Sequence, residues 1–273
     1  MKILAVVTTY YPEKDLLRRN ISAYIKDVDK VIIWENTPEK ERFQYRFVDD
    51  DKVEYYGDGI NSISRGLNFS WRYAAENGYD LMLTMDQDSI IENFDVLKAY
   101  GCEHFSDQVI LGPQLMQAKG GINPVIAERR ESIITSGMLI PMRVLERIGG
   151  YNPSLVIDGI DTDLCLRANH YGIFSFQVRG CILHQQFGVP LVKYFRGKKY
   201  EINSYSPTRL RSILQAHIYL IRKHPNMSLG MRKYICNHYI KGKLIEIILF
   251  EDKKISKIYN LFRGVINGLL MKI

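Results

Sequence analysis

Long apolar runs are missing from this sequence. Nowhere do about 18 apolar residues follow one another, the length a helix needs to cross a bilayer, so no membrane-spanning helix is predicted. Cysteine is scarce. Cys102, Cys165, Cys181 and Cys236 lie far apart with no CxxC pair. That spacing argues against a disulfide framework and a structural zinc site, and reads as free thiols in a cytoplasmic protein. There is no GxxxxGK[ST] phosphate loop, no GxSxG elbow and no HExxH, and no glycine-rich dinucleotide fingerprint follows the first apolar run. Internal repeats and low-complexity segments are absent too. The opening MKILAVVTTYYP carries a short apolar run without a small-residue cleavage site. It reads as a first strand rather than a signal peptide.

What is present is an ordinary globular balance: 273 residues, 46% hydrophobic and 25% charged. This length suits one large α/β domain, or a core with a small appendage. The net charge of +7 is unevenly placed. Residues 1–189 carry 20 Lys and Arg against 26 Asp and Glu, a net −6, whereas residues 190–273 carry 17 against 4, a net +13. An acidic body with a basic tail suggests that the tail meets phosphate or an anionic surface.

Residues 3–7 (ILAVV) form an apolar run of the kind found in buried parallel strands. Residues 13–25 have helical spacing, 31–34 (VIIW) and 53–56 read as strands, 63–77 as a helix closed by Gly78, and 81–85 (LMLTM) as another strand. This alternation predicts an open, mostly parallel sheet flanked by helices, with ligands beyond the carboxyl ends of its strands. The segments to inspect are therefore 8–12, 35–37 and 86–89. After residue 190 the strand signals fade and Lys/Arg-rich helical patterns follow, so the boundary falls there: a catalytic-type domain over 1–190 and a basic, mainly helical extension over 191–273. In the last helix Ile255, Ile258, Tyr259, Phe262, Val265, Ile266, Leu269, Leu270 and Ile273 make one apolar stripe, with Lys254, Lys257, Arg263 and Lys272 outside it.

Four features could carry chemistry. Asp86-Gln87-Asp88 follows a buried strand directly, and two carboxylates so spaced can approach one Mg²⁺ or Mn²⁺ ion that also binds substrate phosphates. The plain alternative is a turn. Asp158, Asp161 and Asp163 cluster after the turn Gly149-Gly150-Tyr151. They can favour the dipole of the following helix or supply a general base, and different members can do each. Arg167, on the same helix, is placed to pair with one of them. His184, after an apparent strand over 180–183, is either structural or a third metal ligand. Thr135-Ser136-Gly137 is a turn, or a set of small residues that lets a sugar approach the backbone.

In VVTTYYP (6–12), NSISRGLNFSWRYAAENGYDLMLTMDQDS (61–89), TSGMLIP (135–141) and IDGIDTDLCLRANHYG (157–172), taken in this order, the chain resembles the inverting family 2 glycosyltransferases of GT-A fold. Among these it is most similar to rhamnosyltransferase-type enzymes of bacterial cell-surface polysaccharide synthesis. The resemblance implies a nucleotide-diphosphate sugar donor, dTDP- or UDP-linked, a divalent cation (Mn²⁺ or Mg²⁺), and a glycan acceptor carried on a lipid. It places Thr9, Tyr10, Glu35, Asn61, Arg65, Asp86 and Gln87 at the nucleotide or donor. Asp88, Asp86 and His184 fall at the metal, and Ser136, Gly137 and Asp158 on the acceptor or sugar side. Asp161 matches the catalytic base, with Asp158 as its rival. Tyr11 stands where the family usually has Asn, and Glu35 where it usually has Asp.

Two other readings compete. A nucleotidyltransferase shares the α/β sheet, metal and nucleotide, but normally has a glycine-rich basic loop after the first strand, and TTYYPEKD is neither. A non-catalytic nucleic-acid or membrane binder would use the basic tail, where VKYFRGKKY interleaves aromatics and cations. The apolar stripe of the last helix suits a membrane interface better than nucleic acid, or else packs on the core or another subunit. The sequence thus predicts a cytoplasmic enzyme, peripheral at the inner face of the membrane, with no nucleic-acid partner.

Overall fold

The computed structural model describes residues 1–42, 48, 50–105, 109–116 and 127–273. It divides into two compact units, Met1–Gln185 and Gln186–Ile273.

The first unit is built on a nine-stranded sheet. Its first half is parallel: β1 (Ile3–Thr9) lies between β2 (Lys30–Glu35) and β4 (Leu81–Asp86), and β3 (Val53–Tyr56) lies outside β2. All seven residues of β1 are buried, which explains why an unbroken apolar run codes for it. Beyond β4 the sheet is mixed. The order continues through β8 (Met138–Pro141), β6 (Ile110–Leu115), β9 (Ser175–His184) and β5 (Ile90–Glu92), with β7 (Ala127–Arg130) also on β9. Here β8 runs antiparallel to β4, and β5 and β7 antiparallel to β9. Parallel order therefore holds for the half whose strands are coded by unbroken apolar runs; strands such as β5 and β7 carry no such signal.

Helices cover the sheet: α1 (Lys14–Ser22), α2 (Ile63–Glu76), α3 (Phe94–Glu103), α4 (Met142–Ile148) and α5 (Ile160–His170). The Glu13 carboxylate caps α1, accepting from Asp15 N and Leu16 N at 3.0 and 2.7 Å. Leu17, Ile21 and Tyr24 form its fully buried side. On α2, Gly66 has no room for a side chain: a Cβ there would stand 2.4 Å from Cδ1 of the buried Trp34 ring.

The second unit begins with a hairpin, β10 (Val189–Phe195) and β11 (Lys198–Ser204), turned at Arg196-Gly197 with φ of 49° and 75°. The tail is thus not purely helical: VKYFRGKKY (192–200) lies within this hairpin. Then come α6 (Pro207–Lys223), α7 (Leu229–Ile235), a π-helical stretch Cys236–Gly242, α8 (Lys243–Phe250) and α9 (Lys254–Leu270). Helix α9 packs on α6 through Gly264 and Gly268, whose added Cβ atoms would stand 2.6 Å from Arg211 O and Gln215 O. Among these elements the Glu251 carboxylate is buried between Lys243 and Lys257. No helix among the described residues is long and apolar enough to cross a membrane.

Glycine-to-alanine changes inside helices usually stabilise by about 1 kcal/mol. At Gly66 the Trp34 ring reverses the sign: Gly66→Ala will lower stability by about 1–3 kcal/mol, read as a lower urea midpoint with an unchanged slope.

Candidate active site

The strand register brings the predicted segments together. Thr9 pairs with Glu35 across β1 and β2, and Thr8 pairs with Asp86 across β1 and β4. The carboxyl ends of the three strands thus form one edge, and the loops that leave it are tied to each other. Gln87 clasps the backbone of Tyr10 at both polar groups: its Oε1 accepts from Tyr10 N at 2.6 Å and its Nε2 donates to Tyr10 O at 3.1 Å. Tyr11 N donates to Thr37 Oγ1 at 3.0 Å, and Asn36 N to Thr9 O at 2.8 Å. Tyr11 holds a left-handed backbone, φ 46°. That conformation is costly for a residue with a side chain and is kept where surrounding bonds enforce it. The result is two partly exposed rings at the strand ends, Tyr10 and Tyr11, edge to face with centroids 4.6 Å apart. The Tyr11 hydroxyl donates to Glu41, and this bond pushes its pKa up to about 12.

The loop 86–89 is held from below by a residue that no motif announces. Asn20 of α1 is fully buried, and its amide donates to Asp86 O at 2.7 Å and to Ser89 O. Its Oδ1 accepts from the Tyr24 hydroxyl at 3.0 Å. The available signal was the placement of an asparagine on the apolar side of α1, between Leu17 and Ile21. From the other flank, Ser136 Oγ accepts from Asp86 N at 3.2 Å, and Gln185 Nε2 donates to Asp86 Oδ2 at 2.9 Å. Asp86 is thereby fixed at its N–H, its carbonyl and one carboxylate oxygen. Asp88 reaches solvent. Partial desolvation pushes its pKa up from the ordinary value, and its exposed carboxylate is open to a cation.

The acidic cluster at 158–163 divides into separate roles. Asp163 is fully buried and pairs with Arg167 at 2.7 Å, while Arg167 also donates to Ile148 O and Gly150 O at 2.6 and 2.7 Å. This pair locks α5 to the end of α4 and is structural. Asp158 and Asp161 are half-buried. Burial pushes the Asp161 pKa up, and the charge of Asp158 adds to the rise. The start of α5 reaches the loop of β4 through a short relay. Thr162 shares a 3.2 Å hydroxyl contact with Ser132. Three residues on, Thr135 O accepts from Thr84 Oγ1, and Gly137 N donates to Thr84 O at 2.7 Å.

Several predicted side chains take other places. Thr9 is buried, its Oγ1 bonded to Trp34 O at 3.3 Å, so it shapes the site from beneath. Ser136 and Gly137 are buried as well. Ser136 supports Asp86 and Gly137 N bonds Thr84 O, and a Cβ at Gly137 (φ +79°) would stand 2.5 Å from Pro113 Cγ. His184 does not join the carboxylates, because its Nε2 lies 2.9 Å from Glu92 Oε1 on β5. The neighbouring Gln185 reaches Asp86 instead. Arg65 is exposed and ion-paired with Asp58, and Asn61 is half-buried just before α2. Glu35 is half-buried at the end of β2, where its carbonyl would stand 2.2 Å from a Cβ at Gly57. Among the described residues no three His, Cys, Asp or Glu side chains converge on one point as a metal cage. Asp86 and Asp88 alone still fit the usual way of holding Mg²⁺, which takes one or two carboxylates and completes its shell with substrate phosphates and water.

No family model matches the chain. Among curated proteins it is similar to the dTDP-rhamnosyl transferase RfbF of Shigella flexneri, with 26% identity over 259 residues, 85% of this chain and 84% of that protein. Among solved structures it is similar to GalNAc-T7 crystallised with UDP, GalNAc and Mn²⁺, at 12% identity and TM-score 0.59, covering 92% of this chain and 58% of that one. It is also similar to residues 1–349 of TarS from S. aureus, at 12% identity and TM-score 0.53, covering 99% and 81%. The chain spans 49% of the longer TarS structure. The structural neighbours show that the fold is GT-A, and the likeness to the rhamnosyl transferase supports a nucleotide-sugar glycosyltransferase.

Removing the Asn20 amide leaves the buried Ser89 carbonyl without that donor, at a cost of about 1–3 kcal/mol, and leaves Asp86 O with its 3.5 Å contact to Ser89 N. Asn20→Ala will lower the thermal midpoint of the apoprotein and also raise the KM for a nucleotide-sugar donor, whereas Leu17→Ala will lower the midpoint and leave KM near wild type.

Proposed function

We propose that this chain moves a sugar from a dTDP- or UDP-linked donor to a glycan hydroxyl in one inverting displacement, with rhamnose as the sugar and a lipid-linked cell-surface polysaccharide as the acceptor. The observation that carries the proposal is the fixed, half-exposed Asp86 with the exposed Asp88 two residues on, beside the clasped Tyr10. It places carboxylates at the strand ends where this fold class binds ligands. Similarity to a dTDP-rhamnosyl transferase supports the sugar and the nucleotide, and a neighbour crystallised with UDP and Mn²⁺ supports the cation.

In this reading Asp86 and Asp88 hold a divalent cation against the donor diphosphate. When bound, the cation neutralises charge on the departing nucleotide. Tyr10, Glu35, Asn61 and Arg65 border the nucleoside, and the Gln87 clasp keeps the Tyr10 backbone still while it binds. Asp161 takes the proton from the acceptor hydroxyl as that oxygen attacks the anomeric carbon on the face opposite the nucleotide. The bond to the diphosphate oxygen breaks in the same step, and its electron pair leaves with the nucleotide. Burial and the nearby Asp158 make Asp161 a stronger base than an ordinary carboxylate.

A base must be ionised to act. Transfer by the wild-type enzyme therefore falls off as pH drops through a pKa above the usual carboxylate range, and Asp158→Asn moves that acid limb downward. Asp161→Asn lowers kcat by about a hundred- to ten-thousandfold with donor affinity retained; near-normal turnover in this variant refutes the base assignment. For the cation, Asp88→Ala abolishes the gain in nucleotide affinity on adding Mn²⁺, read by titration calorimetry. A gain equal to wild type excludes Asp88 as a ligand.

A further inference from the structure

The apolar stripe predicted for the last helix is two stripes in the structure. Ile258, Leu261 and Val265, with Gly264 and Gly268, turn toward α6 and its neighbours and form the small core of the second unit. Ile255, Tyr259, Phe262, Ile266 and Leu269, at steps of three and four, face outward and are between 51% and 87% exposed. On α8, Ile245, Ile248 and Leu249 are exposed as well. This is more contiguous apolar surface than scattered single residues produce, and such a patch marks an interaction face.

What flanks the stripe identifies the occupant. By helical spacing Lys254 lies on one side of it and Arg263 on the other, and both are exposed, as are Lys233, Lys241, Lys253 and Lys272. The acids on these helices do not offset them: Glu251 is buried with Lys257, Glu246 pairs with Lys243, and Asp252 is the one exposed. An open, largely apolar hollow at the start of α9 is lined by Lys253, Lys254, Ile255, Ser256 and Tyr259. A second copy stacked on this face would set cations against cations. An anionic bilayer supplies both complements, hydrocarbon for the stripe and phosphate for the lysines, and a helix with one such outer face lies in the interface plane.

We infer that the outer face of α9, with the exposed edge of α8, seats this protein on anionic phospholipid, burying Phe262 and Ile266 in the acyl boundary while Lys254 and Arg263 meet headgroup phosphates. The inference does not depend on the catalytic reading, and donor hydrolysis measured on the same samples tests that reading separately. The experiment is co-sedimentation of the full chain with vesicles of phosphatidylcholine alone or mixed equally with phosphatidylglycerol, at low and high salt. Wild type pellets with the anionic vesicles, and raised salt weakens binding by screening. Phe262→Asp weakens it by about tenfold with an unchanged thermal midpoint and unchanged hydrolysis. If Phe262→Asp lowers the midpoint, Ile255→Asp, at the most exposed position of the stripe, is read in the same way. Equal binding to both vesicle types, wild-type binding by these variants, or a concentration-dependent dimer that Phe262→Asp dissociates overturns the proposal, the last by giving the stripe to a second copy.

Discussion

One side-chain amide sets the geometry on which the candidate site depends. Asn20 projects from α1 into the core and donates to the carbonyls of Asp86 and Ser89, the two ends of the loop that carries both candidate metal carboxylates. A backbone carbonyl buried without a donor is expensive, so the amide that meets Ser89 O favours this shape of the loop. Tyr24 fixes the amide in turn by bonding its oxygen. Everything outward follows from this. With the loop pinned, Gln87 can clasp Tyr10, Gln185 can orient Asp86, and Asp88 is left at the surface.

The sheet half that the sequence made legible is the half with simple coding. β1, β2 and β4 are buried on both faces and appear as short apolar runs. β5 and β7, with three and four residues and partial exposure, have no such signature. The hairpin β10–β11 was hidden by its charge, since every face of it carries Lys or Glu. Within the site, carboxylates were easy to find because they are rare at strand ends, but their roles were not. Asp163 and Asp161 stand two apart in one helix turn, and only packing makes the first a buried partner of Arg167 and leaves the second half-open. Asn20, Gln185 and Ser136 act through hydrogen bonds across long stretches of chain, and no local pattern encodes such contacts.

Charge and apolar surface are distributed by the same logic. The first unit is acidic partly because its site is built from carboxylates. The second keeps its one deeply buried acid, Glu251, between two lysines, where their attraction outweighs burial and holds its pKa below the ordinary value. Its remaining cations stay at the surface, around an apolar face that its own core does not use. A small core held by close glycine contacts between α6 and α9 frees the outer side of α9 for an external partner.

A structure of the chain with dTDP or UDP and Mn²⁺ bound tests the central claim most directly. The account predicts the diphosphate against the 86–88 loop, with the Asp86 and Asp88 carboxylates on the cation, the base beside Tyr10, and His184 still facing Glu92. A nucleotide bound elsewhere, or a diphosphate that leaves both carboxylates untouched, contradicts it.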